Sequence, residues 1–94
     1  MIKSFSDQGT ERFFHGQRSK KLPNDIWKRG VRKLLILHAA TALSELRVPL
    51  GNRLEKLAGD RKGEYSIRIN NQWRICFIWR DGHAGHVEIT DYHS

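Results

Sequence analysis

From Tyr65 to Thr90 apolar and polar residues alternate with a period of two, the mark of strands with one buried face. Tyr65, Ile67 and Ile69 alternate with Ser66 and Arg68. Trp73, Ile75, Phe77 and Trp79 alternate with Arg74, Cys76 and Ile78, and Val87 and Ile89 with His86, Glu88 and Thr90. Turn residues separate the runs at Asn70-Asn71-Gln72 and Arg80-Asp81-Gly82-His83-Ala84. Opposed residues of an antiparallel pair share a face, so parity selects the register. A two-residue turn at Asn70-Asn71 pairs Ile67 with Arg74 and mixes the faces. A three-residue loop pairs Ile69 with Trp73 and Ile67 with Ile75, keeping one face apolar, and is preferred. If Trp79 sits opposite Gly85, Phe77 meets Val87 and Ile75 meets Ile89. The other face then collects Arg68, Arg74, Cys76, Glu88, Thr90 and Tyr92.

The period changes to that of a helix upstream. Pro23-Asn24-Asp25 opens it, and Trp27, Val31, Leu34, Leu35 and His38 form one apolar stripe running to about Ala40. Lys28, Arg29, Arg32 and Lys33 fill the remaining arc, with Ile36 expected to be exposed among them. Thr41 to Leu46 reads as a further turn or a continuation of the helix, ended by Pro49 and Gly51. Near the start, Ile2 to Phe5 reads as an edge strand. Asp7 caps a short helix that carries Phe13 and Phe14 and closes near Gly16, and Gln17 to Lys21 reads as a loop.

Ninety-four residues suit one domain, 1–94, with one modest core that buries roughly two-thirds of the unfolded surface. Seventeen Lys and Arg against ten Asp and Glu give +7 and a pI near 10.1, which favours an acidic partner. Nine aromatic residues argue against intrinsic disorder. The single Cys76 excludes an internal disulfide and fits a reducing cytoplasm. No apolar run approaches a membrane span, and Met1 to Ser6 lacks the apolar stretch of a signal peptide.

The candidate working surface is the face carrying Arg68, Arg74 and Tyr92, with Arg53 and Lys56 just before the sheet. Guanidinium forks match phosphate and an aromatic ring can stack a base. The competing reading is a solvated face whose arginines pair with Glu88 or water. Asp91-Tyr92-His93 offers a titratable imidazole beside a carboxylate, against the reading of a fraying tail. Gly59-Asp60-Arg61-Lys62-Gly63 lacks the Walker pattern and reads as a turn into the sheet. His83 and His86 lack further ligands and read as loop residues, so no metal or other cofactor is expected, and Cys76 reads as structural.

Several segments together resemble HigB-type toxins of the RelE/ParE superfamily, the plasmid-maintenance killer proteins. They are Met1-Ile2-Lys3-Ser4-Phe5, Gly51-Asn52-Arg53-Leu54, Gly59-Asp60-Arg61, Tyr65-Ser66-Ile67, Asn71-Gln72-Trp73-Arg74-Ile75 and Asp91-Tyr92-His93. The resemblance implies an α+β fold with N-terminal helices on one face of a curved, mainly antiparallel sheet. It implies a type II toxin that cleaves mRNA on the ribosome without a metal. In that chemistry the ribose 2′-OH attacks the adjacent phosphate and leaves a cyclic phosphate. The implied partners are the ribosome, mRNA and a HigA-like helix-turn-helix antitoxin, with operator DNA reached only through the antitoxin.

By the same resemblance Arg74 would stabilise the phosphorane and Tyr92 position the nucleotide, with His93 moving a proton and Asp91 completing the motif. Arg53 also matches a basic position of the family. From charge and parity, Arg53, Lys56 and Arg68 are expected to contact RNA, and Lys28, Arg29, Arg32 and Lys33 read as a solvated face or as a separate face that docks the ribosome or the antitoxin. The chain departs from some members by carrying Glu55 in place of a His and Ala58 in place of a Lys. Glu55 would then be the general base, or Lys56 would substitute in charge, or catalysis would be weakened. Alternatives on the same fold are a ParE-like toxin directed at gyrase and a non-catalytic binding module.

Overall fold

Asp7 starts the first helix with an extended backbone, and its carboxylate accepts a hydrogen bond from the Thr10 amide at 3.2 Å. That fills one of the donors a helix N-terminus leaves open. The computed structural model describes residues 1–48 and 50–92. In it this helix, α1, runs Gln8–Phe14 and is followed by Gly16 at φ +78°. A single turn of 3-10 helix at Asn24–Ile26 leads into α2, Trp27–Ala39.

The buried line of α2 is Gly30, Leu34 and Leu37, flanked by the partly buried Trp27, Val31 and Ile36. This corrects the expected stripe. Leu35 is 51% exposed, whereas Ile36 packs against the core. Gly30 is the physical reason. A Cβ there would stand 3.2 Å from Cδ2 of Phe13, so the bare backbone lets α1 come close and turns the helix towards it. Beyond Ala40 the chain makes 3-10 turns at Leu43–Arg47 and Leu50–Asn52.

Four strands follow as an antiparallel meander: β1 Glu55–Lys56, β2 Tyr65–Arg68, β3 Trp73–Arg80 and β4 His83–Asp91. Between β2 and β3 the parity argument holds. Ile67 faces Ile75, Arg68 faces Arg74, and the Ile69 amide donates to the Trp73 carbonyl at 2.9 Å. Between β3 and β4 it needs correction. Trp79 faces Ala84 and Ile78 faces Gly85, because the connection is a tight turn at Asp81-Gly82, with φ +54° and +78°. Two successive positive φ values suit the right-handed twist of a hairpin, and Asp-Gly is a preferred pair for them. A bulge then restores the expected pairing of Ile75 with Ile89. His86, at φ +50°, is the extra residue on β4.

The N-terminal segment bridges β4 in parallel, Ile2 to Ala84 and Phe5 to Val87. Thr10, fully buried, accepts from the Ile89 amide at 2.8 Å and satisfies that part of the β4 backbone from α1. Phe13, Leu34 and Leu37 from the helices meet Ile67, Ile75, Phe77, Val87 and Ile89 from one sheet face in a single cluster. Each such side chain contributes about 1.5–3 kcal/mol by leaving water. The helices thus occupy one face and leave the other for chemistry. Among the described residues no helix is long and apolar enough to cross a membrane.

Candidate active site

Strand alternation carries Glu55, Ser66, Cys76 and Glu88 across the non-core face in one row, and Arg68, Arg74 and Thr90 in the next. Arg74 is the centre of this face and is only 7% exposed. Its Nε donates to the Ser66 hydroxyl at 2.7 Å. Its Nη2 donates to the Arg53 carbonyl at 2.6 Å and, more weakly, to the Ser66 carbonyl at 3.4 Å. Nη1 faces the Glu55 carboxylate at 3.9 Å, too far for a hydrogen bond. Buried charges normally have all their donors engaged. Here, among the described residues, Nη1 is the corner of the fork left available to an incoming anion.

Two groups flank that corner. Glu55 has a half-exposed carboxylate, with 52% of its side chain open to solvent. Tyr92 is 44% exposed, its ring centroid 5.6 Å from the Arg74 guanidinium carbon, and its amide donates to the Gln72 carbonyl at 2.6 Å. The cation–π contact and the backbone bond fix the ring while leaving area to stack a base. Arg53, at φ +44°, brings its carbonyl to Arg74, and its exposed side chain leaves from that point.

Other expected site residues lie elsewhere. Lys56 pairs with Tyr65, so alternation turns it to the opposite side of β1 from Glu55. Asp91 pairs with Trp73 and accepts from the Gln72 side-chain amide at 3.0 Å, at the sheet rim and off the Arg74 face. Arg68 is the register partner of Arg74, yet its guanidinium meets the Asn71 side chain and lines a cleft with Arg29, Arg32 and Lys33. The expected separation of sheet cations from helix cations is therefore corrected: four of them share one cleft. Lys28 lies outside it. His93 falls outside the described residues.

Glu88 is not the partner of the face arginines. Arg61, from the 3-10 turn Gly59–Arg61, bridges Glu88 and Glu64 at 3.0 Å each. That segment, expected only to turn the chain, also neutralises the carboxylate beside Cys76. Burial pushes the Cys76 thiol above its usual value, in keeping with a structural role. Two supporting residues escaped the sequence reading. Ser66 was legible only as the polar half of an alternation. Asn52, fully buried, accepts from Lys33 Nζ and donates to the Leu46 carbonyl.

Comparison with known proteins gives one consistent neighbourhood. Residues 3–93 match the family model described as the RelE-like toxin of the type II toxin-antitoxin system HigB. The chain is 46% identical over 85 residues to "Toxin HigB-1" of Vibrio cholerae, covering 89% of this chain and 90% of that protein. It is 33% identical over 93 residues to "Endoribonuclease HigB" of Proteus vulgaris, covering 99% and 100%. Among solved structures, a YoeB-YefM complex from Staphylococcus aureus aligns at TM-score 0.61 and 24% identity, covering 100% of this chain and 99% of that one, a likeness of fold.

Proposed function

The chain belongs to the RelE-like HigB toxins of type II toxin-antitoxin systems, and on that premise we propose that it is an endoribonuclease acting on mRNA held by the ribosome. The observation that carries the reading is the corner where Arg74 Nη1, Glu55 and the exposed Tyr92 ring converge on the face opposite the core. The name of the Proteus vulgaris relative supports the same chemistry.

In this reading Tyr92 stacks a base and so holds the neighbouring ribose and phosphate against Arg74. Glu55 accepts the 2′-OH proton as O2′ attacks phosphorus. Arg74 Nη1 donates to the phosphorane oxygens, a charge-assisted bond that strengthens as negative charge builds. The P–O5′ bond breaks and the leaving oxygen takes a proton, a role assigned to His93 because it follows Tyr92 in sequence. The products are a 2′,3′-cyclic phosphate and a 5′-hydroxyl. The nucleophile belongs to the substrate, so the step is balanced without a metal or other cofactor. Asp91, held by Gln72, supports the end of β4 rather than meeting the phosphate. Lys56 faces away, which leaves Glu55 as the base.

So sparse a set of acid–base groups suits a substrate already held in line. Holding the mRNA on the ribosome supplies that orientation, and orientation of reactants can lower a barrier by about 7–11 kcal/mol at most. The reading places the whole chain, as one domain, in the cytoplasm. Its partner is an acidic helix-turn-helix antitoxin that silences it and contacts operator DNA on its behalf.

Glu55→Gln tests the proposal in cells, because the exposed carboxylate can be changed without disturbing the core. Expression of the parent chain should arrest growth and create new mRNA ends within coding regions. Glu55→Gln should abolish both. Growth arrest with unchanged mRNA ends refutes the nuclease, and inhibition of gyrase supercoiling by the purified chain would put a gyrase-directed toxin in its place.

A further inference from the structure

The cleft between α2 and the end of β2 gathers four cations, as does the groove of Arg12, Arg18, Lys20 and Lys21, but here one of them is tied to a buried side chain and another sits on the strand next to Arg74. Arg29, Arg32 and Lys33, spaced i, i+3 and i+4, share one side of α2 and face Arg68 and Asn70 across about 380 Å³. Among the described residues no carboxylate lines it. Elsewhere the fold does neutralise a structural cation, as Glu64 and Glu88 do for Arg61. Here the like charges are left facing one another. Burial, then Arg32, then Arg29 push the Lys33 ammonium below its usual value, so the cluster is held together against repulsion.

One member of the cluster is also fixed in place. Lys33 Nζ donates to the Asn52 side-chain carbonyl at 2.5 Å, and Asn52 is fully buried and tied to the Leu46 carbonyl at 3.3 Å. Three guanidinium forks and a tethered ammonium around an open cleft match phosphodiester oxygens. Arg68 is the register partner of Arg74, and neighbouring strands lie about 4.8 Å apart, so the backbone that sends Arg68 into the cleft adjoins the strand that carries Arg74.

We propose that this cleft is a second phosphate-binding site, which holds an RNA backbone next to the cleavage corner and is joined to it through Arg68. The inference rests on the RNA reading of the neighbouring face. RNA is favoured over an acidic protein because Arg68 joins the cleft to the strand pair that carries Arg74 and because, among the described residues, only Ile36 and Ile69 line it with apolar side chains.

The test is fluorescence anisotropy with the full chain and a short, labelled RNA carrying 2′-O-methyl groups throughout, which binds but lacks the nucleophile. Each single-strand phosphate contact contributes about −0.7 to the slope of log K against log salt. Arg29→Gln/Arg32→Gln should therefore reduce the slope by about 1.4 and weaken binding roughly tenfold at moderate salt. Arg68→Gln should reduce it by about 0.7. Both arginines of the double variant are exposed, and a thermal melt confirms folding. Lys20→Gln/Lys21→Gln removes the same charge from the other cationic groove, lined with Arg12 and Arg18, and should leave the slope unchanged. A parental slope in the double variant overturns the cleft, as does a loss matched by the Lys20/Lys21 control. Loss of antitoxin binding with an unchanged RNA slope also overturns it, in favour of a protein interface. A chain that uses the cleft but cuts no mRNA sinks the nuclease reading alone.

Discussion

Ser66→Ala tests whether the candidate site is built on a pinned arginine. The Ser66 hydroxyl is fully buried and accepts from Arg74 Nε at 2.7 Å, while Arg74 itself is only 7% exposed. Hydrogen bonds to charged groups contribute about 1.5–3 kcal/mol, and the asymmetry of removing one partner works against the variant. Nε would stay buried without an acceptor, and a missing oxygen leaves too little room for a compensating water. The expected loss is about 2–3 kcal/mol, a large share of the 5–15 kcal/mol typical of a domain. For a chain of this size 1 kcal/mol moves Tm by roughly 4–8 °C, so Tm should fall by about 10 °C or more. Circular dichroism melts at fixed protein concentration and pH measure it. Ser44→Ala, at an exposed position of the Leu43–Arg47 turn, should change Tm by no more than about 3 °C. A Ser66→Ala melt within about 2 °C of the parent would refute the argument, because Arg74 would then not depend on that acceptor.

Gly30→Val should destabilise the fold by about 1–3 kcal/mol, since an added Cβ would stand 3.2 Å from the fully buried Phe13 and two methyl groups must follow; a denaturant titration reads the change. Cys76, with its thiol pushed up by burial, should react with a thiol reagent at neutral pH many times more slowly in the native chain than in the denatured one. The direction follows from the thiolate being the nucleophile: a raised value leaves less of it, and reactivity should climb only as pH passes above the usual cysteine range.

The sheet was the most legible part of the fold, because a period of two identifies faces without knowledge of long-range contacts. Ile67 with Ile75 and Arg68 with Arg74 follow from keeping one face apolar, and the pairs are found so. The β3–β4 turn was read as five residues because His83 and Ala84 look like loop residues, when Asp81-Gly82 alone closes it and His86 takes up the shift. Parity therefore failed locally and recovered at Ile75 and Ile89. On α2 the misleading residue was Gly30, which counts for nothing on a hydropathy pattern yet sets the closest approach of α1.

The site was legible by residue type and less so by direction. Arg74, Glu55 and Tyr92 come together. Lys56 turns away because Glu55–Lys56 is a strand of two residues, too short to show an alternation in sequence. Arg68 and the α2 cations were assigned to separate surfaces because the path that folds α2 beside the end of β2 has no local signature. Ser66 and Asn52 are polar residues recruited to the interior by a cation each, and only the folded chain shows which cation.

The most direct test of the central claim is a defined mRNA incubated with the purified chain in the presence and absence of ribosomes, with the new ends characterised chemically. Cleavage only with ribosomes, leaving 2′,3′-cyclic phosphate and 5′-hydroxyl ends and lost in Glu55→Gln, is the result the account predicts. Intact mRNA on the ribosome, or ends carrying a 5′-phosphate, would contradict it.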